Sequence, residues 1–195
     1  MRVIGIDPGV ATTGYGIVDK RGSGLTAVAA GAVRTHAGTP AAERLLQLRR
    51  AIAALLSEHR PDIFVIERLF FNANVRTAMA VGQAAGVALL CAAEAGLETR
   101  HYTPLEVKLS VVGVGRASKA QVQTMVAALL KLPTVPKPAD AADACALAIC
   151  HLNRSGLASA VARAEQTRCS ASWRERWRAA TKPAAFFRWE ALAIA

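Results

Sequence analysis

The sequence has few aromatic, histidine and cysteine residues. Phe, Trp and Tyr make up 5% of its 195 residues, and there are four histidines and four cysteines. The cysteines have neither the paired spacing of a zinc site nor the setting of a small secreted scaffold. We therefore exclude a zinc module and a disulfide framework, and we expect a reduced, cytoplasmic protein.

Long hydrophobic runs are also missing. The longest stretch of low charge, Thr77 to Ala93, is shorter than the roughly 20 residues of a membrane helix. A strand pattern begins at residue 2, so we expect no signal peptide. No partner in a membrane is expected.

Acidic residues are outnumbered. The 14 Asp and Glu face 24 Lys and Arg, which gives a formal charge of +10 and a pI near 10.2. A charge of this size favours a polyanionic partner such as nucleic acid. It carries no information about the fold.

The hydrophobic pattern predicts an α/β protein. Three strands come first and form an antiparallel meander, and two further strands alternate with helices. Strands are predicted over residues 2–7, 14–19, 25–34, 62–67 and 98–103. Helices are predicted over 40–59, 74–95, 104–108, 118–131 and 139–152, with Thr39 as the first N-cap. This order indicates one domain, residues 1–155, with a mixed five-stranded sheet flanked by helices.

The segment 156–195 has a weaker pattern. It contains seven basic and three acidic residues, and all three tryptophans lie in it among arginines. We expect a basic, poorly ordered C-terminal tail. Contact with nucleic acid and an idle extension are both compatible with this composition.

Four carboxylates stand at places where chemistry is expected. Asp7 and Glu67 end two strands predicted to be neighbours, and ligands of open α/β sheets gather beyond such strand ends. Asp140 and Asp143 are three residues apart on a helix, so they share a face. Taken singly, Asp7 fits an Asx turn, Asp140 a helix cap and Asp143 a first-turn charge.

Taken together, the four acids point to a metal site. Carboxylates gathered in a partly buried crevice repel one another and need protons or divalent cations. Oxygen ligands without Cys or His favour Mg²⁺ or Mn²⁺. Two such ions can activate a water and stabilise the leaving oxygen of a phosphodiester. A basic protein with an acidic metal pocket is therefore a nuclease candidate.

Four segments stand out by their order and spacing: GIDPG, VIERLFF, VKLSVVGVGRASKAQVQTMV and ADAADACALAICH. Together they resemble the RuvC family of bacterial Holliday-junction resolvases, and the resemblance covers residues 1 to about 153. It implies an RNase H-like fold of the retroviral integrase superfamily and a homodimer that nicks two opposed strands of a four-way DNA junction.

The resemblance also implies the chemistry of cleavage. Asp7, Glu67, Asp140 and Asp143 become a Mg²⁺-binding catalytic quartet with two ions per site, which Mn²⁺ can replace. Each nick leaves a 5′-phosphate and a 3′-hydroxyl, and RuvA and RuvB supply branch migration in recombination and repair.

Further residues carry over from the family one at a time. Lys108 and Lys119 fall where lysines bind the junction backbone and assist cleavage, although a solvated charge at a helix end is the simpler interpretation of each. Arg76 and Arg116 are assigned to DNA binding. Arg116 and Ser118 depart from the family pattern of the glycine loop, which puts fine sequence preference in doubt.

An aromatic residue is expected beside the junction centre. Phe70 holds that position, and an aromatic on a loop can stack on an unpaired base for about 1–3 kcal/mol. Alternatively, Phe70 anchors the core and Phe71 is the exposed residue. The helix 74–95 matches the family's dimer helix, and Gly82 and Gly86 give it a flat stripe suited to close approach.

Three alternatives stay open at this point. One is an RNase H-like nuclease of another specificity, such as a cutter of RNA–DNA hybrids. Another is an actin-like ATPase, because GIDPG also resembles a phosphate-binding turn, but 195 residues leave no room for a second lobe. The third is a junction-binding module without catalysis.

Overall fold

The computed structural model describes the backbone of residues 1–68 and 75–166 and the side chains of residues 1–68 and 78–155. The chain divides into two compact units, Met1–Gly156 and Leu157–Ala195. The first unit contains the whole described sheet. Of the second unit, only the backbone up to residue 166 is described, and it is helical.

The first unit is built on a five-stranded mixed sheet with the strand order β3-β2-β1-β4-β5. Strands β1, β2 and β3 form an antiparallel meander, while β4 and β5 run parallel to β1. This arrangement confirms the predicted mixed sheet. The strands are β1 (Arg2–Asp7), β2 (Thr12–Arg21), β3 (Gly24–Arg34), β4 (Ile63–Glu67) and β5 (Glu98–Tyr102).

Helices cover both faces of this sheet. The bounds are α1 (Ala41–His59), α2 (Val75–Glu94), α3 (Pro104–Val112), α4 (Lys119–Leu129) and α5 (Ala139–Gln166). In the described ranges, no helix combines the length and hydropathy needed to cross a membrane.

The alternation of side chains along β1 divides the core into two halves. Val3 belongs to the cluster under α3, α4 and α5, whereas Ile4 and Ile6 belong to the cluster under α1 and α2. Successive residues of a strand point to opposite faces, so a short β-branched strand serves both halves. The central strands are thereby buried from both sides, and their carboxyl ends are held rigidly.

Several helix limits differ from the predicted ones. The largest difference is in α5, which ends at Gln166 instead of residue 152 and so enters the segment predicted to be a poorly ordered tail. Helix α2 covers Val75–Glu94 instead of 74–95. Pro40 is the N-cap of α1 in an extended conformation, and the helix begins at Ala41. Helix α3 continues beyond Lys108, because Val111 is buried on the same face as Val107, one turn earlier. It ends before Gly113, which has a φ of 80°. Helix α4 ends at Leu129 instead of residue 131.

Candidate functional site

Asp7 and Glu67 lie at the carboxyl ends of two adjacent parallel strands. Ile6 of β1 is paired with Ile66 of β4, and each acid directly follows its isoleucine. Both isoleucines are almost completely buried, so the two strand ends are fixed relative to each other. The prediction that these two strands are adjacent in the sheet is confirmed.

A side-chain hydrogen bond closes the turn that follows Asp7. The Thr13 hydroxyl donates to the Gly9 carbonyl oxygen at 2.6 Å and accepts from the Gly9 amide at 3.2 Å. Thr13 is 1% exposed and is one of the few buried polar residues of the described chain. This contact ties the turn to the start of β2 and holds the backbone beside the Asp7 carboxylate.

Helix α5 rests directly on the backbone of β1 and β2. Gly14 is the ladder partner of Asp7, and a Cβ atom at Gly14 would overlap the carbonyl oxygen of Asp140. A Cβ at Gly5 would likewise overlap the carbonyl oxygen of Ala144. Glycine is therefore required at both places by close backbone approach. This packing carries the acidic start of α5 to the end of the sheet where Asp7 lies.

A cleft of about 450 Å³ opens where these elements meet. Three of the four predicted acids line it, together with both predicted lysines, and the rest of the wall is mostly apolar. The acids and lysines are Asp7, Glu67, Asp143, Lys108 and Lys119, and the other lining residues are Pro104, Val107, Val122, Ala146 and Leu147.

Asp140, the fourth predicted acid, does not line this cleft. Its charge nevertheless acts on the site, because it contributes to raising the pKa of Asp7. It lies at the start of α5, one turn before Asp143. The structure thus places all four acids at one end of the sheet, with Asp140 at the margin.

Burial and mutual repulsion set the electrostatics of the acids. The pKa of Asp7 is raised from 3.8 to about 7, first by burial and then by the charges of Glu67, Asp143 and Asp140. The pKa of Glu67 is also raised, by burial and by Asp143. Like charges in a poorly solvated crevice disfavour ionisation, so this site attracts cations.

Lys119 is one such cation. Its Nζ lies 2.6 Å from Oδ2 of Asp143. Lys119 is the first residue of α4, directly after the N-cap Ser118. The Ser118 hydroxyl accepts a hydrogen bond from the backbone N–H of Gln121, and the Gln121 side-chain oxygen accepts one from the backbone N–H of Ser118. This capping box fixes where the lysine side chain begins.

Lys108 approaches the cleft from α3. That helix begins with a second capping box, between Thr103 and Glu106. In the described part of the chain, Lys108 makes no ion pair with an acid. The two lysines therefore differ: Lys119 is engaged with a carboxylate and Lys108 is not.

The chemistry of the donors fits a hard divalent cation, because all four predicted ligands are carboxylates. Among the described residues, however, no three His, Cys, Asp or Glu side chains stand close enough together to form a preformed metal site. The mutual repulsion of the carboxylates and the pairing of Asp143 with Lys119 are physical reasons for this spread.

Of the other predicted DNA-binding residues, Arg116 alone has a described side chain. Phe70 and its alternative Phe71 lie outside the described residues. Arg76 falls in the first turn of α2, but its side chain is likewise outside the description. Arg116 is exposed in the loop between α3 and α4 and is not among the residues that line the cleft.

Sequence reasoning missed the residues that position the acids. Gly5 and Gly14 were visible only as parts of strands, and Thr13 was not singled out. Glycines spaced two or more residues apart on one face of adjacent strands would have indicated a helix lying close on the sheet. The pairing of Lys119 with Asp143 had no local signal, because 24 residues separate the two.

The mixed sheet, with acids at the ends of its two central parallel strands and on a helix lying across them, defines a protein of RNase H-like fold. Comparison with known families is specific. The family model described as crossover junction endodeoxyribonuclease RuvC matches residues 3–151. The chain belongs to the RuvC family.

Individual relatives agree with this assignment. RuvC of Pelotomaculum thermopropionicum is 52% identical over 151 residues, which cover 77% of this chain and 92% of the relative. RuvC of Desulfitobacterium hafniense is 52% identical over 162 residues, covering 80% and 98%. The structure of Thermus thermophilus RuvC in complex with Holliday junction substrate is 34% identical, with a TM-score of 0.78 and coverage of 81% and 96%.

Proposed function

We propose that this member of the RuvC family is a structure-selective endonuclease that resolves Holliday junctions by paired nicks on opposed strands. The observation that carries the proposal is the cleft in which Asp7, Glu67 and Asp143 stand beside Lys108 and Lys119. Acids that attract metal and lysines that attract phosphate are the two parts a phosphodiester hydrolase needs.

Asp7, Glu67, Asp140 and Asp143 are the proposed ligands of Mg²⁺, with two ions per site and Mn²⁺ as a substitute. Bound divalent ions supply an activated water and stabilise the leaving oxygen. The chain's own contribution is to hold the carboxylates on strand and helix ends around one poorly solvated cleft, where burial and like charges favour cation binding. The expected products are a 5′-phosphate and a 3′-hydroxyl.

Lys108 and Lys119 are the proposed contacts to the DNA backbone at the cleft. They extend from two different helices, α3 and α4, which are joined by the glycine-bearing loop 113–117. The net charge of +10 supports general attraction to DNA. Phe70, Arg76 and Arg116 remain predicted DNA contacts.

A homodimer is proposed through α2. Met79 and Leu90 are 62% and 53% exposed, and Gly82 and Gly86 lie between them at helical spacing. A Cβ added at either glycine meets no described atom within 4 Å. This open stripe flanked by apolar side chains suits a second copy of the same helix, and two copies would supply the two nicks.

The proposed setting is cytoplasmic recombination and DNA repair, in which RuvA and RuvB drive branch migration. We also propose that residues 1–155 carry the nuclease and that the basic segment 156–195 is an accessory tail. Its seven basic residues and three tryptophans favour contact with nucleic acid.

The experiment compares cleavage of a synthetic four-way junction and an RNA–DNA hybrid duplex in Mg²⁺. We expect the wild-type chain to nick the junction, while Asp7→Asn binds it without nicking. Preferential cutting of the hybrid would favour a different RNase H-like specificity. Junction binding without nicking by the wild type would favour a non-catalytic module.

A further inference from the structure

Lys119 occupies the position that a bound cation would be expected to take. Its ammonium is 2.6 Å from Oδ2 of Asp143. The positive charge of Lys119 also acts to lower the pKa values of Asp7 and Glu67, against the larger effect of burial, which raises them. One flexible side chain therefore acts electrostatically on three of the proposed metal ligands.

The surroundings of this ion pair make it easy to break. The Lys119 side chain is 61% exposed, whereas that of Asp143 is 24% exposed. Ion pairs with an exposed lysine contribute little to stability, because the ammonium is well hydrated when it leaves. The backbone of Lys119 is held at the start of α4 by the Ser118 capping box, so only the side chain needs to move.

We propose that Lys119 is an exchangeable counter-ion of the acidic cleft. Without metal its ammonium neutralises Asp143, and it leaves that carboxylate when a divalent ion binds there. The released ammonium then faces the cleft and is available to a DNA phosphate. The inference deepens the proposed function and rests on its metal site, because Asp143 must be a metal ligand.

The test measures Mn²⁺ binding to the full chain without DNA, by the electron paramagnetic resonance signal of free Mn²⁺. Lys119→Met should bind Mn²⁺ about 3- to 10-fold more tightly, since a weak competing ion pair and a repelling charge are both removed. Lys119→Arg keeps the charge and should stay near the wild-type affinity.

Lys108→Met is the matched control. It also removes one lysine charge from the cleft lining, but Lys108 has no ion pair with a described acid, so its Mn²⁺ affinity should rise clearly less than that of Lys119→Met. Junction nicking by Lys119→Met should fall even as its Mn²⁺ affinity rises. A lysine with a purely structural role would not move the two quantities in opposite directions.

The outcomes separate the inference from the proposed function. Unchanged or weaker Mn²⁺ binding by Lys119→Met, with normal binding by the wild type, overturns the counter-ion role alone. No Mn²⁺ binding by the wild type overturns both. Tighter binding by the variant, with no nicking by the wild-type chain, supports the counter-ion role and refutes the nuclease.

A second measurement is made on the wild-type chain, and a variant serves only to assign one signal. Lysine ammonium signals of the wild-type chain are followed by NMR during a Mg²⁺ titration, with the Lys119 signal assigned from its absence in any folded Lys119 variant. We expect the Lys119 signal to shift more than the Lys108 signal as Mg²⁺ saturates. An unmoved Lys119 signal at saturation would contradict the exchange.

Discussion

Asp7→Asn is expected to make the metal-free protein more stable at pH 8 while it abolishes cleavage. The substitution keeps the shape of the side chain and removes its charge. In the native protein that charge is partly buried and is repelled by the other acids of the cleft. A carboxylate placed there for metal binding is therefore a stability cost whenever the metal is absent.

The magnitude follows from the pKa of Asp7, which is raised from 3.8 to about 7. A raised carboxyl pKa means that the native state holds the proton more tightly than the unfolded state. The contribution of Asp7 to the free energy of unfolding is thus fully present below pH 3.8, falls as the pH rises, and is lost above about pH 7. One pKa unit corresponds to about 1.4 kcal/mol, which sets a ceiling near 4 kcal/mol. Because Asp7 keeps some contact with water, we expect about 1–3 kcal/mol.

The assay is urea unfolding in the presence of a chelator, at pH 4 and at pH 8. The free energy of unfolding of Asp7→Asn should exceed that of the wild type by about 1–3 kcal/mol at pH 8 and match it at pH 4. Added Mg²⁺ should then stabilise the wild type more than the variant, since a ligand that binds only the native state raises its stability.

Asp19→Asn provides a control of opposite sign. Asp19 accepts hydrogen bonds from Arg2 at 2.7 and 2.9 Å, and this pairing lowers the pKa of Asp19. Its ionised form therefore stabilises the fold at pH 8, and Asp19→Asn should lower the free energy of unfolding there. Were Asp7→Asn also destabilising at pH 8, or equally stabilising at both pH values, the electrostatic reasoning for the cleft would be wrong.

Three further predictions concern single substitutions in the described fold. Gly14→Ala should lower the free energy of unfolding by about 1–3 kcal/mol or more and reduce nicking, because the new Cβ overlaps the carbonyl oxygen of Asp140; a melting temperature equal to that of the wild type would contradict the close packing. Ser118→Ala should cost about 0.5–2 kcal/mol in thermal or urea unfolding, since it removes the α4 cap, and no loss would show that the cap is dispensable. His151 is buried beside the Tyr102 hydroxyl at 2.9 Å, and burial lowers the pKa of His151 from 6.5. Its stabilising neutral form is present above pH 6.5 and is lost as the pH falls toward the lowered pKa, so His151→Gln should flatten the stability profile below pH 6.5; an unchanged profile would assign the pH dependence elsewhere.

Much of the fold was predictable from short-range patterns. β-branched runs that stop at Asp7 and after Glu67 predict buried parallel strands, and such strands place their terminal acids at one edge. The exact ends of the helices depend on tertiary packing, which cannot be read from local sequence patterns. Helix α3 extends past Lys108 because Val111 is buried, and that burial requires the helices around it.

Only part of the cleft's membership was predictable, since Asp140 and Arg116 do not line it. The identities of Asp7, Glu67 and Asp143 followed from strand ends, helix spacing and the family resemblance. Their positioning depends on backbone contacts between Gly14 and α5, which join residues more than 120 positions apart. The pairing of Lys119 with Asp143 is likewise a product of tertiary structure.

The central claim is that acids from separate parts of the chain bind divalent ions that cut a DNA junction. Its most direct test maps both nicks on an immobile four-way junction, with the wild type and Glu67→Gln compared in Mg²⁺. We predict symmetric nicks on two opposed strands with 5′-phosphate and 3′-hydroxyl ends, and none from Glu67→Gln despite retained binding. Unpaired nicks, other end groups or undiminished cutting by Glu67→Gln would contradict the claim.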